Sequence, residues 1–145
     1  MGYIWAIIAG AAMSVQGVMN TRLSEKTGLF ASNAYVQLTA FIIAVVAMFV
    51  SGGVNLKTFG EVNKFYLFGG VFGFIITLTV MLSVKGLSPT IAISAILVSQ
   101  LVCAALIDAF GLMDSEKVAF TWNKYVGVAG MIASLLLFKW IPKGI

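Results

Sequence analysis

The chain has 145 residues, 61% of them apolar and only 10% charged, with a mean hydropathy of +1.05 and a formal net charge of +4. A water-soluble globule of that composition would have no polar surface to show, so the sequence reads as an all-α integral membrane protein whose first partner is the lipid bilayer. At about 20 residues per crossing helix plus short loops, there is room for five spans at most, in a single transmembrane domain over 1–145.

Several function classes drop out at once. There is no histidine and no His/Cys/Asp/Glu cluster with ligand spacing, which argues against a metal centre or an imidazole proton relay. No glycine-rich phosphate loop with a Walker lysine is present, so no cofactor is expected and any energy for work must come from gradients. The lone Cys103 lies in an apolar run and reads as a small packing residue. The basic residues are spread over loops, which is not a nucleic-acid footprint, and no nucleophile/base pair suggests an enzyme.

The first span is predicted over Gly2 to Met19, with Tyr3 and Trp5 as interfacial aromatics. The start lacks both a basic n-region and a small-residue cleavage site, so it is read as an uncleaved first helix. This segment is polar where a lipid-facing helix would not be. It carries Ser14, Gln16 and Asn20 together with Gly10 and Gly17. On a helix Ala6, Gly10, Met13, Gly17 and Asn20 follow one face, and Gln16 lies about 40° from Asn20 around the axis. Three readings fit that face. The amides could be interhelical glue, worth about 0.6 kcal/mol each in bilayers. They could line a cavity near the membrane midplane and touch a substrate, or they could tune a pore.

A polar loop is expected over Thr21 to Gly28, followed by a second span over Leu29 to Val50. Gln37 in its first half is either glue or a second cavity-lining amide that meets Gln16. The connection from Ser51 to Lys64 combines Gly52, Gly53, Asn55, Lys57, Gly60 and Glu61, which is turn chemistry with solvated charge. A third span over Phe65 to Val84 places Gly69, Gly73 and Thr77 at every fourth residue, the spacing that lets helices approach closely. Pro89 is placed to open a fourth helix, because its missing N–H would be unpaired there anyway.

That fourth span, Thr90 to Phe110, holds Gln100 at its middle and Asp108 near its end. Asp108 is the only acid in any predicted span. A carboxylate at a helix C-terminus opposes the macrodipole, so it is either solvated at the interface or a protonation and cation site at the mouth of a cavity. The fifth span is predicted over Tyr125 to Ile141, and its Gly127, Gly130 and Ser134 share one stripe suited to packing within the protomer or across a dimer axis.

Five spans put the termini on opposite sides. Lys57, Lys64, Lys117 and Lys124 then lie on one side, and Arg22, Lys26, Lys85, Lys139 and Lys143 on the other. Four against five is almost no bias for the positive-inside rule to act on, which would permit dual topology and an antiparallel homodimer. Secondary transporters commonly use inverted repeats with the substrate site between them. One chain here would supply one repeat.

With these residues in view, the chain resembles the drug/metabolite transporter superfamily, specifically its small single-repeat YdcZ-like members, which are related to the small multidrug resistance exporters. The likeness runs over nearly the whole chain through Gln16-Gly17 with Asn20 and Leu23, Gly69-Gly70 with Gly73, and Gly86-Leu87-Ser88-Pro89. It continues through Gln100-Leu101 with Asp108, Phe110, Gly111 and Leu112, and Tyr125 with Gly127. The resemblance implies a multi-pass protein of the bacterial inner (plasma) membrane, and relatives that act as antiparallel dimers or as two fused five-helix repeats. It also exposes a departure. The small multidrug exporters carry a glutamate within the first helix, where this chain has Ser14, Gln16 and Asn20. An amide cannot exchange a proton for a cation, and it suits a neutral or zwitterionic solute better.

The expectation is therefore a secondary transporter that moves a small polar metabolite by alternating access as a dimer. Ser14, Gln16, Asn20, Gln37 and Gln100 are the substrate-lining candidates, Asp108 is the candidate for ion coupling, and Gly10, Gly17, Gly69, Gly73, Gly127, Gly130 and Ser134 are the packing residues. The partner would be a second copy or a paralogue. The rival readings are a dual-topology ion channel and a non-transporting membrane subunit that packs with a paralogous partner.

Overall fold

The computed structural model describes residues 1–53, 59–119 and 121–140. Asn55 and Lys57 of the expected second loop, and the expected end of span five at Ile141 with the following Pro142 and Lys143, lie outside the described residues. All regular structure among the described residues is helical, and the chain divides into two compact units, Met1–Gly86 and Leu87–Ile145.

The first unit contains α1 (Gly2–Thr27), α2 (Leu29–Val50), a 3₁₀ turn (Lys64–Phe68) and α3 (Gly69–Gly86), with the three α-helices packed on one another. α1 is longer than the predicted span. At 1.5 Å per residue its 26 residues reach about 39 Å, against a hydrocarbon core of about 30 Å. The last turns therefore extend into polar surroundings, where Arg22 pairs with Glu25 at 3.2 Å, one turn along the helix. The helix runs through the expected loop, and the hydroxyls of Thr21, Ser24 and Thr27 find partners within it by bonding back to carbonyls three or four residues earlier. The whole connection to α2 is Gly28, whose φ of +87° and ψ of 155° suit glycine and few other residues.

Burial in this unit is the reverse of a soluble core. The buried positions are Gly17, Asn20, Thr21 and Ser24 on α1, Ser32 and Asn33 on α2, and Met81 and Val84 on α3. Phenylalanines and isoleucines such as Phe41, Ile42 and Phe72 point outward. Polar and small groups inside with bulky apolar groups outside is the arrangement that a hydrocarbon solvent selects.

The second unit contains α4 (Pro89–Phe110), a 3₁₀ turn (Leu112–Asp114) and α5 (Trp122–Lys139), with α4 packed on α5. Ser88 caps α4 by accepting from the Ile91 N–H at 3.4 Å, and Pro89 takes the first helical position as expected. Gly111 ends α4 in the left-handed region, and a Cβ there would meet the Ser115 carbonyl at 3.4 Å, so the chain folds back tightly over the helix end.

Among the described residues, four helical segments are long and apolar enough to cross a membrane: Gly2–Thr27, Leu29–Val50, Lys64–Gly86 and Pro89–Phe110. Within the described residues α5 falls below that measure for a compositional reason. It opens on Trp122, Asn123 and Lys124 and closes on Lys139, so its purely uncharged stretch, Tyr125 to Phe138, reaches only about 21 Å at 1.5 Å per residue.

Candidate functional site

The amides that the sequence singles out have two fates in the first unit. Gln37 belongs to the seam between α2 and α3. Its Nε2 donates to Thr77 Oγ1 at 3.1 Å and to Asn33 Oδ1 at 3.4 Å, and Thr77 Oγ1 in turn donates to the Gly73 carbonyl at 2.9 Å. Gly73 brings α3 close at this point, since a Cβ there would lie 3.9 Å from the Gln37 amide. One turn away, the fully buried Asn33 donates from Nδ2 to the Phe74 carbonyl at 3.0 Å. A bilayer offers no water to satisfy these groups, so their geometry is that of structural glue between two helices.

Sequence reasoning missed Asn33. Its signal was available, because it lies four residues before Gln37 and so on the same helical face.

The second fate is found between α1 and α2. An open groove of about 760 Å³ runs along these helices, lined by Gln16, Asn20, Arg22 and Lys26 from α1 and by Tyr35, Val36, Thr39 and Ile43 from α2. Among the described residues, neither the Gln16 nor the Asn20 side chain has a hydrogen-bond partner. Asn20 is only 9% exposed and lines both this groove and a shallower depression along α1 with Ala12 and Val15. Its neighbour Gln16 is exposed. Thr39 directs its hydroxyl onto the Val36 carbonyl at 2.9 Å, so it adds methyl surface and no free donor.

The remaining candidates are scattered. Ser14 bonds the Gly10 carbonyl of its own helix at 3.0 Å and does not line the groove. Gln37, read from the sequence as either glue or an amide meeting Gln16, is engaged with α3. Gln100 is exposed on α4, in the second unit.

Asp108 is half-buried near the end of α4 and lines a cleft of about 240 Å³ together with Lys124 and Gly127 of α5. The Asp108 carbonyl accepts from the Val118 N–H at 2.9 Å, which ties the following loop back to the helix end. Of the packing candidates, Gly17 is buried and Gly73 meets Gln37, whereas a Cβ at Gly10, Gly69, Gly127 or Gly130 would meet nothing within 4 Å, and Ser134 is exposed. No group of His, Cys, Asp and Glu among the described residues could hold a metal ion.

A family model described as "Putative inner membrane exporter, YdcZ" matches residues 1–137. No curated protein and no solved structure matches the chain.

Proposed function

Because this chain belongs to the YdcZ family, multi-pass exporter proteins of the inner membrane, we propose that it is a secondary transporter of a small polar solute with its substrate groove between α1 and α2. The observation that carries the reading is the contrast among its intramembrane amides. Those of the α2/α3 seam are satisfied by protein, whereas Gln16 and Asn20 open unpartnered on a groove. An unsatisfied amide in hydrocarbon costs several kcal/mol, so such groups belong where water or a ligand reaches them.

In this reading Gln16 and Asn20 hydrogen-bond the solute, and Asn33 and Gln37 hold α2 against α3 behind them. Gln100 and Ser14 play no direct part that their placement supports. Asp108 is the candidate for ion coupling, with Lys124 as the counter-charge in the same cleft. Alternating access calls for two symmetry-related states, which a second, inverted copy would provide. The bare stripe at Gly127, Gly130 and Ser134 is compatible with such a pair.

The test is efflux from proteoliposomes loaded with a mixture of labelled organic acids, polyols and amino acids. At least one solute should leave faster than from protein-free liposomes. Gln16→Ala and Asn20→Ala should abolish that difference without changing the elution of the purified protein. Undiminished flux in both variants overturns the assignment of the groove.

A further inference from the structure

The groove between α1 and α2 carries a feature that a neutral-solute site does not need. We propose that its ligand is an amphipathic organic anion, with an acidic group held at the Arg22/Lys26 end, an apolar body along the groove, and a neutral polar group at Gln16 and Asn20. This deepens the transporter reading above and rests on it.

Three observations support the assignment. First, both cations on α1 line the groove, whereas Glu25, the acid between them, does not. The Glu25 carboxylate accepts from Arg22 Nη1 at 3.2 and 3.3 Å and offsets one of the two positive charges. Lys26 has no partner among the described residues, so the mouth retains one unit of positive charge facing the groove. Second, the walls between mouth and amides are apolar, with Met19 and Leu23 on one side and Val36, Ala40 and Ile43 on the other. Third, Asn20 is nine-tenths buried, unpartnered and open to this same space.

From Lys26 to Gln16 is about 15 Å along the helix at 1.5 Å per residue, so a ligand that spans both ends is a medium-length chain. An anionic phospholipid would also answer the cations. It would, however, lay acyl chain against Gln16 and Asn20 and leave both amides unsatisfied in hydrocarbon, and this favours the solute. Lys26 also lies in the last turn of α1, where a cation complements the helix dipole, so a loss of stability on its removal would not speak to binding. The readout must be selective for ligand charge.

The experiment uses Ala40→Cys in a Cys103→Ala background, in detergent-solubilised full-length protein, and follows alkylation of the groove thiol by N-ethylmaleimide. 10-Hydroxydecanoate, which has an acid at one end and a hydroxyl at the other, should slow alkylation at least tenfold at saturation, while 10-hydroxydecylammonium at equal concentration leaves the rate within twofold. Lys26→Gln and Arg22→Gln should each raise the half-protecting concentration of the acid severalfold, and together at least tenfold, with the unprotected rate unchanged. Equal protection by the acid and the ammonium would overturn the anion assignment while leaving the groove and the flux prediction standing. Failure of 10-hydroxydecanoate to protect overturns the proposal, and phosphatidylglycerol co-purifying with the wild type but not with the double variant would then identify a lipid as the occupant. The transporter reading fails separately, by flux that ignores Gln16 and Asn20.

Discussion

The two interhelical seams of the first unit hold the same kinds of residue and treat them oppositely. Between α2 and α3, Asn33 and Gln37 reach a carbonyl and a hydroxyl of the facing helix, and the small Gly73 lets the backbones close. Between α1 and α2, Gln16 and Asn20 have no partner among the described residues and a groove remains. Polarity within a membrane segment is therefore no functional mark by itself. What separates glue from site is whether the neighbouring helix supplies the complementary atom, and that depends on residues some 40 positions away in sequence, as between Gln37 and Thr77.

The comparison is sharpest where function and stability part. Gln16→Ala and Asn20→Ala should lower solute flux at least tenfold, about 1.4 kcal/mol of transition-state or binding free energy, with unfolding free energy changed by no more than about 0.5 kcal/mol. Proteoliposome efflux and detergent-titration unfolding of the same preparations check both halves. Asn33→Ala should do the reverse. It leaves the Phe74 carbonyl without this donor and opens space at a fully buried site, costing about 1–2 kcal/mol of stability, read by the same unfolding titration.

Gly111→Ala forces a side chain into the left-handed region and towards the Ser115 carbonyl. It should destabilise the second unit by about 1–2 kcal/mol while leaving alkylation of Ala40→Cys unchanged. Gln37→Leu removes two hydrogen bonds whose average worth in a bilayer is small. Its cost should be about 1 kcal/mol, and a loss of flux as large as that of Gln16→Ala would place Gln37 in the site instead of the seam.

Much of this was legible in the sequence. Composition alone specifies an all-helical membrane chain, and the cap at Ser88 with Pro89 is visible as a start signal because both act through their own backbone neighbours. The end of α1 was not legible. Thr21 to Thr27 has the residues of a loop, but the helix runs to Gly28, with the three hydroxyls satisfied by carbonyls of the preceding turn and Arg22 paired with Glu25. Gln16 and Asn20 stood out as polar residues on one face, but the sequence left Gln37 open between glue and cavity, since the complementary atoms of Thr77 and Asn33 appear only once α2 and α3 pack. The glycine stripes behave likewise. Gly73 meets a neighbour and Gly127 and Gly130 meet none within 4 Å, a difference that equal spacing does not encode.

The most direct test of the groove compares three single-cysteine variants in the Cys103→Ala background, Gln16→Cys, Gln37→Cys and Phe41→Cys, in membranes treated with a charged, membrane-impermeant methanethiosulfonate. Phe41 is 65% exposed on an outward face and does not line the groove, so it reports the lipid-facing baseline. The account predicts that Gln16→Cys reacts at least tenfold faster than Phe41→Cys, with Gln37→Cys near the baseline. Reaction of Gln16→Cys at the Phe41→Cys rate would show that water does not reach this amide, and would contradict the groove as a solute site.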